Sequence, residues 1–234
     1  MEVCGIAFDL EGTIVDLERF HHAAHIHAAE IAGVRLSLSE AISKIECFIG
    51  GPDEAVADEL TRFPGCRLSA NDILKLKKHR YEELFKKSIV LPRHGFDEFI
   101  KTVELDKYEI SVGTITTSEK TKHILERSGL INLFPATHIV ARETVARLKP
   151  APDIYLETAR RMQINPHSQI VFEDSVNGIR AATAAGSLAV AVPTIQDREF
   201  WTKLEQAGAF RVYADWGAVA CGFSEIETGL RRRL

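Results

Sequence analysis

VCGIAFDLEGTIVD, residues 3 to 16, is the stretch whose reading decides the fold. Val3 to Phe8 is a short apolar run suited to a strand buried on both faces. Two carboxylates, Asp9 and Glu11, follow at once, and a strand does not bury such charges for stability. Gly12 frees the backbone for a tight turn and Thr13 can hydrogen-bond locally, so the acids are expected on a sharp loop at the strand's carboxyl end. Ligands of open α/β sheets bind at such ends. On this stretch alone a solvated strand-to-helix turn is an equally good reading, and the residues downstream decide between the two.

Working outward, Leu17 to Leu91 shows no strand pattern and repeats at helical spacing. One helix is expected from about Asp16 to Ile31, with Leu17, Phe20, Ala24, His27 or Ala28, and Ile31 on one face. Ser37 or Ser39 caps a second, Pro52 and the acids after it open a third, and Ser69 caps a fourth that carries Ile73, Leu76, Tyr81, Leu84 and Phe85. From His94 the period switches. A helix to about Val103 leads to a strand over Tyr108–Ile115, a helix capped by Ser118 that runs to Ser128, and a short strand at 138 to 140. A helix after the 147–153 loop, a strand from Gln169 to Phe172, a helix from Val176 to Ala185 and a strand from Leu188 to Val192 follow. Shorter elements at 200–206, 211–213 and 216–219 complete the pattern, and the last ten residues show none. This order predicts an α/β protein with a Rossmann-like parallel sheet and right-handed crossovers. The core is expected over 1–16 and 93–234, interrupted by an inserted α-helical cap domain over 17–92 that is hinged near Asp16 and Pro92.

The 234 residues are 45% hydrophobic, enough for a sizeable core, and the formal net charge of -4 argues against an extended nucleic-acid-binding surface. No apolar run of about 18 residues and no basic-then-apolar leader is seen, so no membrane partner and a cytoplasmic location are expected. Cys4, Cys47, Cys66 and Cys221 lack any C-x-x-C pairing and read as reduced, structural thiols. The closing arginines, 231 to 233, read as a solvated tail. Monomer and homodimer are both open.

The strand ends and nearby loops collect Asp9, Glu11, Thr116, Lys149, Glu173 and Asp174. Converging carboxylates need a counter-charge, and a hard divalent cation with oxygen ligands, magnesium, supplies it. The hydroxyl of Thr116 and the amides of Thr117 and Ser118 at a helix start suit phosphate oxygens, and the Lys149 ammonium adds positive charge. These are parts for phosphoryl transfer. Taken singly, each has a bland alternative: Lys149 as a surface lysine, Thr116 as a helix-start hydroxyl, Glu173-Asp174 as a solvated turn. Their joint order makes the bland readings a poor account.

On the ordered motifs Asp9-Leu10-Glu11-Gly12-Thr13, Thr116, Lys149 in LysProAlaProAsp, and GluAspSerValAsnGly at 173–178, the chain resembles the haloacid dehalogenase superfamily. It is most similar to the subgroup with a helical cap after the first strand, which includes phosphoglycolate phosphatases and β-phosphoglucomutases. The resemblance implies a magnesium-dependent phosphatase acting on a small phosphorylated metabolite, with Asp9 forming an aspartyl-phosphate and Glu11 as general acid/base. It also implies that Thr116 and Lys149 position the phosphoryl group, while Asp9, the carbonyl of Glu11 and Asp174 hold magnesium with Glu173 assisting. Glu11 stands where the family usually has a second aspartate; its carboxyl is of similar acidity, about 4.3 against 3.9, on a stem one methylene longer. Retaining an acid there separates the chain from the dehalogenase and phosphonatase branches. In the cap, His21, Lys78 and Arg80 fall where relatives meet substrate, and Asp53 stands where the mutase branch has a basic residue, which favours phosphatase over mutase. The alternatives are a phosphosugar mutase and a ligand-binding protein whose catalysis Glu11 has weakened. His21, His22, His25 and His27 include an i, i+4 pair suited to zinc, but no acidic or cysteine partner has a recognisable spacing, so a solvated or substrate-facing helix is the preferred reading.

Overall fold

Ile6, Ala7 and Phe8 have no solvent exposure, because β1 (Cys4–Phe8) runs through the middle of a six-stranded sheet. The computed structural model describes residues 4 to 103 and 107 to 233. The other strands are β2 (Tyr108–Gly113), β3 (Ile139–Val140), β4 (Gln169–Glu173), β5 (Leu188–Ala191) and β6 (Arg211–Val212). Their order is β3-β2-β1-β4-β5-β6 and every pairing is parallel. Ile6 faces Ile110 on one side and Ile170 on the other, which is why the central strands read as unbroken apolar runs. The chain leaves β1 toward β2 and β3, then crosses back to β4, so the topological switch lies beside β1 and its carboxyl end opens the crevice. The α/β class, with a Rossmann-like core, is therefore as the sequence predicts.

The chain divides into two compact units, Met1–Asp16 with Leu91–Leu234, and Leu17–Val90. In the first, an aromatic cluster packs one face of the sheet. Phe8 stacks on Phe172 at 5.5 Å, and the fully buried Trp216 lies 5.1 Å from Phe172 and 4.9 Å from Phe99. Phe96 and Phe99 come from α5 (Phe96–Thr102) and Trp216 opens α10 (Trp216–Arg231), each ring contributing about 2–3 kcal/mol by burial. The crossover helices are α6 (Ser118–Arg127), α7 (Asp153–Arg161), α8 (Val176–Ala184) and α9 (Arg198–Gln206). The cap of α6 is Thr117, whose hydroxyl accepts from the Lys120 amide, and not the expected Ser118.

The featureless reading of the last ten residues is overturned: α10 continues to Arg231, so that arginine ends a helix rather than belonging to a tail. Its glycines hid it, because Gly weakens a helical pattern. Here they let rings approach: a Cβ on Gly222 would lie 2.5 Å from the Tyr213 hydroxyl, and one on Gly229 would lie 2.6 Å from Phe210.

The second unit contains α1 (Glu18–Ile31), α2 (Leu38–Lys44), α3 (Asp53–Thr61) and α4 (Ala70–Lys87), and no strand among the described residues. Ser37 caps α2 in a reciprocal box with Glu40, and Ser69 caps α4. Of the expected apolar face of α1, Leu17, Phe20, Ala24 and Ala28 are buried and Ile31 is not. Ile31 is 51% exposed, while His22 and His25 are buried, both packed on Phe48. No helix among the described residues is long and apolar enough to cross a membrane.

Candidate active site

Asp9 extends the central ladder by one bond, its amide donating to the Phe172 carbonyl at 2.9 Å, which fixes its side chain at the carboxyl end of β1. Lys149 arrives from the loop before α7. Its Nζ donates to Asp9 Oδ1 at 2.6 Å, to Glu173 Oε1 at 2.6 Å and to the Gly113 carbonyl at 2.9 Å. One ammonium thus uses its three donors to tie the ends of β1, β4 and β2 together. Burial alone would lower the Lys149 pKa, but the carboxylates of Asp9 and Glu173 outweigh it and hold the group above the ordinary lysine value. Asp9 is pushed up to about 7 by burial, against the pull of Lys149 and with the help of the Glu173 charge.

Glu173 is saturated. Oε1 accepts from Lys149 and from the Tyr155 hydroxyl at 2.8 Å, while Oε2 accepts from the amides of Asp174 and Ser175 and from the Ser175 hydroxyl at 3.0–3.1 Å. A Cβ on Gly178 would come within 1.8 Å of this carboxyl group, so the glycine that closes the GluAspSerValAsnGly run makes the room Glu173 occupies. Gly12 has a double requirement: its φ of +93° lies in the left-handed region, and a Cβ there would meet Asp174 Oδ2 at 2.1 Å. Asp174 is buried, with the Thr13 hydroxyl 3.4 Å from its Oδ1.

The loop itself is pinned by residues that no pattern in the sequence singles out. Trp216 Nε1 donates to the Thr13 carbonyl at 3.0 Å, and the Arg93 guanidinium donates to the carbonyls of Gly12, at 2.7 Å, Val192 and Pro193. Arg93 and Trp216 come from sequence positions far from the loop, as Tyr155 does from Glu173, and only the packing reveals them.

Glu11 is held on its other side, where the Thr116 hydroxyl donates to Oε1 at 2.5 Å and Lys120 Nζ stands 3.2 Å from Oε1 and 3.4 Å from Oε2. The hydroxyl of Thr116 is thereby directed at a side chain. The expected phosphate donor at Ser118 needs correction, since its amide and hydroxyl both donate to Glu143 Oε2 at 3.0 Å. A carboxylate of the chain already occupies that helix start. Thr117 is exposed, its hydroxyl committed to the cap.

One oxygen from each of Asp9, Glu173 and Asp174 lies within 4.8 Å of the others. All three carboxylates are buried, and burial raises the pKa of Asp9. An all-oxygen donor set of this kind fits a hard cation such as magnesium.

In the helical unit the expected trio is rearranged. His21 is half-buried, but Lys78 is exposed and Arg80 pairs with Glu83 at 3.2 Å. The lysine that joins His21 is Lys77, one position and about 100° around α4, on the buried stripe with Ile73, Tyr81 and Phe85. Lys77 Nζ stands 2.8 Å from His21 Nδ1 and 2.5 Å from Asp53 Oδ1, and His25 Nε2 is 3.3 Å from the same oxygen. Asp53 is the acidic neighbour of the histidine pair that spacing did not reveal, and an ammonium already sits among the three.

A model described as haloacid dehalogenase-like hydrolase matches residues 6–192. The chain is 30% identical to the Fructose-1-phosphate phosphatase YqaB of Escherichia coli (strain K12), over 80% of this chain and 95% of that protein. It is 28% identical to the Beta-phosphoglucomutase of Bacillus subtilis (strain 168), over 80% and 82% of the two chains. Among solved structures, CbbY from Rhodobacter sphaeroides in complex with phosphate is similar with a TM-score of 0.69 at 26% identity, over 93% of this chain and 96% of that one. A haloacid dehalogenase-like protein from Agrobacterium tumefaciens shares the fold with a TM-score of 0.83 at 23% identity, over 95% and 98% of the two chains. The family match begins inside β1 and ends at the residue after β5, so it brackets the whole charged cluster, and the chain belongs to the haloacid dehalogenase-like hydrolase family.

Proposed function

We propose that this hydrolase is a magnesium-dependent phosphatase of a small phosphorylated metabolite, working through an aspartyl-phosphate on Asp9. The observation that carries the reading is the buried Asp9–Lys149–Glu173 contact beside Asp174 at the carboxyl edge of the sheet. Asp9, Asp174 and the carbonyl of Glu11 would hold the cation, while Glu173, whose oxygens already receive five donors, anchors Lys149 instead. The bound cation supplies the positive charge that keeps Asp9 ionised and offsets the charge of the phosphoryl group. An Asp9 carboxylate oxygen attacks phosphorus, the ester P–O bond breaks, and the departing oxygen takes its proton from Glu11. Water then attacks the phosphoryl group and gives its proton to Glu11, and the pair of electrons in the P–O bond to Asp9 returns to the carboxylate. Lys149 holds Asp9 in line throughout.

Selection of the substrate is assigned to the helical unit, a cap in this reading, with His21 as one contact. The relatives' names support phosphorylated sugars as the first compounds to try. Phosphate release from a panel of such esters with magnesium tests the reading, and Asp9→Asn should lower turnover by about 10⁴-fold or more. Full turnover by that variant, or no release from any ester, would rule the mechanism out. A phosphosugar mutase is the second reading, favoured by the likeness to the Bacillus enzyme; isomerised sugar phosphate without net phosphate release would replace the first reading with it.

A further inference from the structure

We infer that Lys120 is a positioning residue for Glu11, aiming its carboxylate at the water that releases the enzyme from its phosphorylated form; this rests on the phosphatase reading above. Glutamate has one more rotatable bond than aspartate, and an acid that must meet one proton in one place loses rate through that freedom. The structure removes it with two donors on opposite terms. The Thr116 hydroxyl reaches a single oxygen of Glu11 at 2.5 Å, and the Lys120 ammonium spans both, at 3.2 and 3.4 Å. Two points fix a planar carboxylate where one would leave it to swing.

Both donors are themselves held. The Thr116 amide donates to the Thr114 hydroxyl at 3.2 Å, and its carbonyl accepts from the Arg142 amide at 3.1 Å. Lys120 stands in the first turn of α6, its amide donating to the capping hydroxyl of Thr117, and its side chain is only 32% exposed. Thr116 precedes the capping Thr117 and Lys120 stands in the first turn, and both reach the same carboxylate. Lys120 therefore compensates for the extra methylene of Glu11, touching the acid and not the reacting phosphorus.

Glu11 is needed differently in the two halves of the reaction. With p-nitrophenyl phosphate the departing phenolate needs no proton, so the first half proceeds without a well-aimed acid. In the second half the oxygen of water forms a bond to phosphorus, its proton passes to Glu11, the P–O bond to Asp9 breaks with its electron pair returning to the carboxylate, and inorganic phosphate leaves. Lys120→Met should slow this half alone.

The test is rapid-mixing kinetics of the full chain with magnesium and p-nitrophenyl phosphate. Lys120→Met is expected to release a burst of about one p-nitrophenol per chain and then turn over about 10–100-fold more slowly than the wild type. Lys120→Arg, which keeps a charged donor there, should recover most of the steady rate and lose the burst. A Lys120→Met enzyme without a burst, whether its rate is unchanged or both halves are slowed alike, overturns the assignment. A wild type with no ester turnover and no phosphorylated form overturns it together with the phosphatase reading, so the two failures are told apart.

Discussion

Two buried lysines, one in each unit, sit among carboxylates and do opposite things. Lys149 faces two carboxylates directly, with Asp174 beside them, and burial drives Asp9 up to about 7 against the pull of Lys149. Lys77 faces one carboxylate, Asp53, which also has His21 and His25 around it. Burial works to raise the Asp53 pKa, but the hydrogen bonds from the two imidazoles and the Lys77 charge hold it far below the usual carboxylate range. The two carboxylates differ in how far their partners offset burial: those of Asp53 outweigh it and those of Asp9 do not.

The hardest blow to the first cluster is Lys149→Met, which leaves Asp9, Glu173 and Asp174 without the ammonium. It should lower stability by about 3–5 kcal/mol, read by urea unfolding without magnesium, and abolish ester turnover. Stability unchanged by this variant would end the claim that Lys149 offsets the acids. Lys77→Met should cost less, about 2–3 kcal/mol, because Asp53 keeps its imidazole partners. Turnover of p-nitrophenyl phosphate should survive in the protein that remains folded. Its loss at unchanged stability would make the second cluster catalytic and erase the contrast.

The effects of pH have opposite signs in the two clusters. Asp9 has a native pKa of about 7 against 3.8 for the free group, so between these values the native state binds more protons than the unfolded chain. Stability without divalent cation should fall as pH rises through that window, and Asp9→Asn should flatten the slope. His25 is lowered by burial to about 4 from 6.5, so the unfolded chain takes up the proton first. Its contribution is full above pH 6.5 and is lost as pH falls toward 4, on the order of 3 kcal/mol, and His25→Gln should remove it. Urea midpoints of the wild type and both variants across pH 4 to 8 measure the two slopes, and like signs would contradict the burial that sets both shifts.

Much of this is legible in the sequence, because apolar runs and strand-end acids are local patterns. The apolar run from Val3 to Phe8 predicts a central strand, found over Cys4–Phe8 with Val3 outside the described residues, and Asp9, Lys149 and Asp174 are the strand-end groups that gather there. What failed was also local, in the sense that one residue of phase matters on a helix. Lys78 and Lys77 are neighbours in sequence, yet only Lys77 shares the stripe of Ile73 and Tyr81. Ser118 and Thr117 both suit a cap, and only Thr117 takes the role, while Glu143 occupies Ser118. The glycines of α10 looked like a helix fading out, because the rings of Tyr213 and Phe210 that need them come from elsewhere in the chain.

By itself the sequence determined the α/β class, the interruption of the core by helices and the identity of the acids and lysine at the strand ends, since periodicity and residue chemistry are written locally. Only the tertiary structure decided what those groups do to one another. Whether Glu173 faces a cation or Lys149, whether Glu11 swings or is gripped by Thr116 and Lys120, and whether a lysine sits with one carboxylate or several depends on distances between residues far apart in the chain. Electrostatic energies change with those distances and with burial, and neither is a property of a residue read alone.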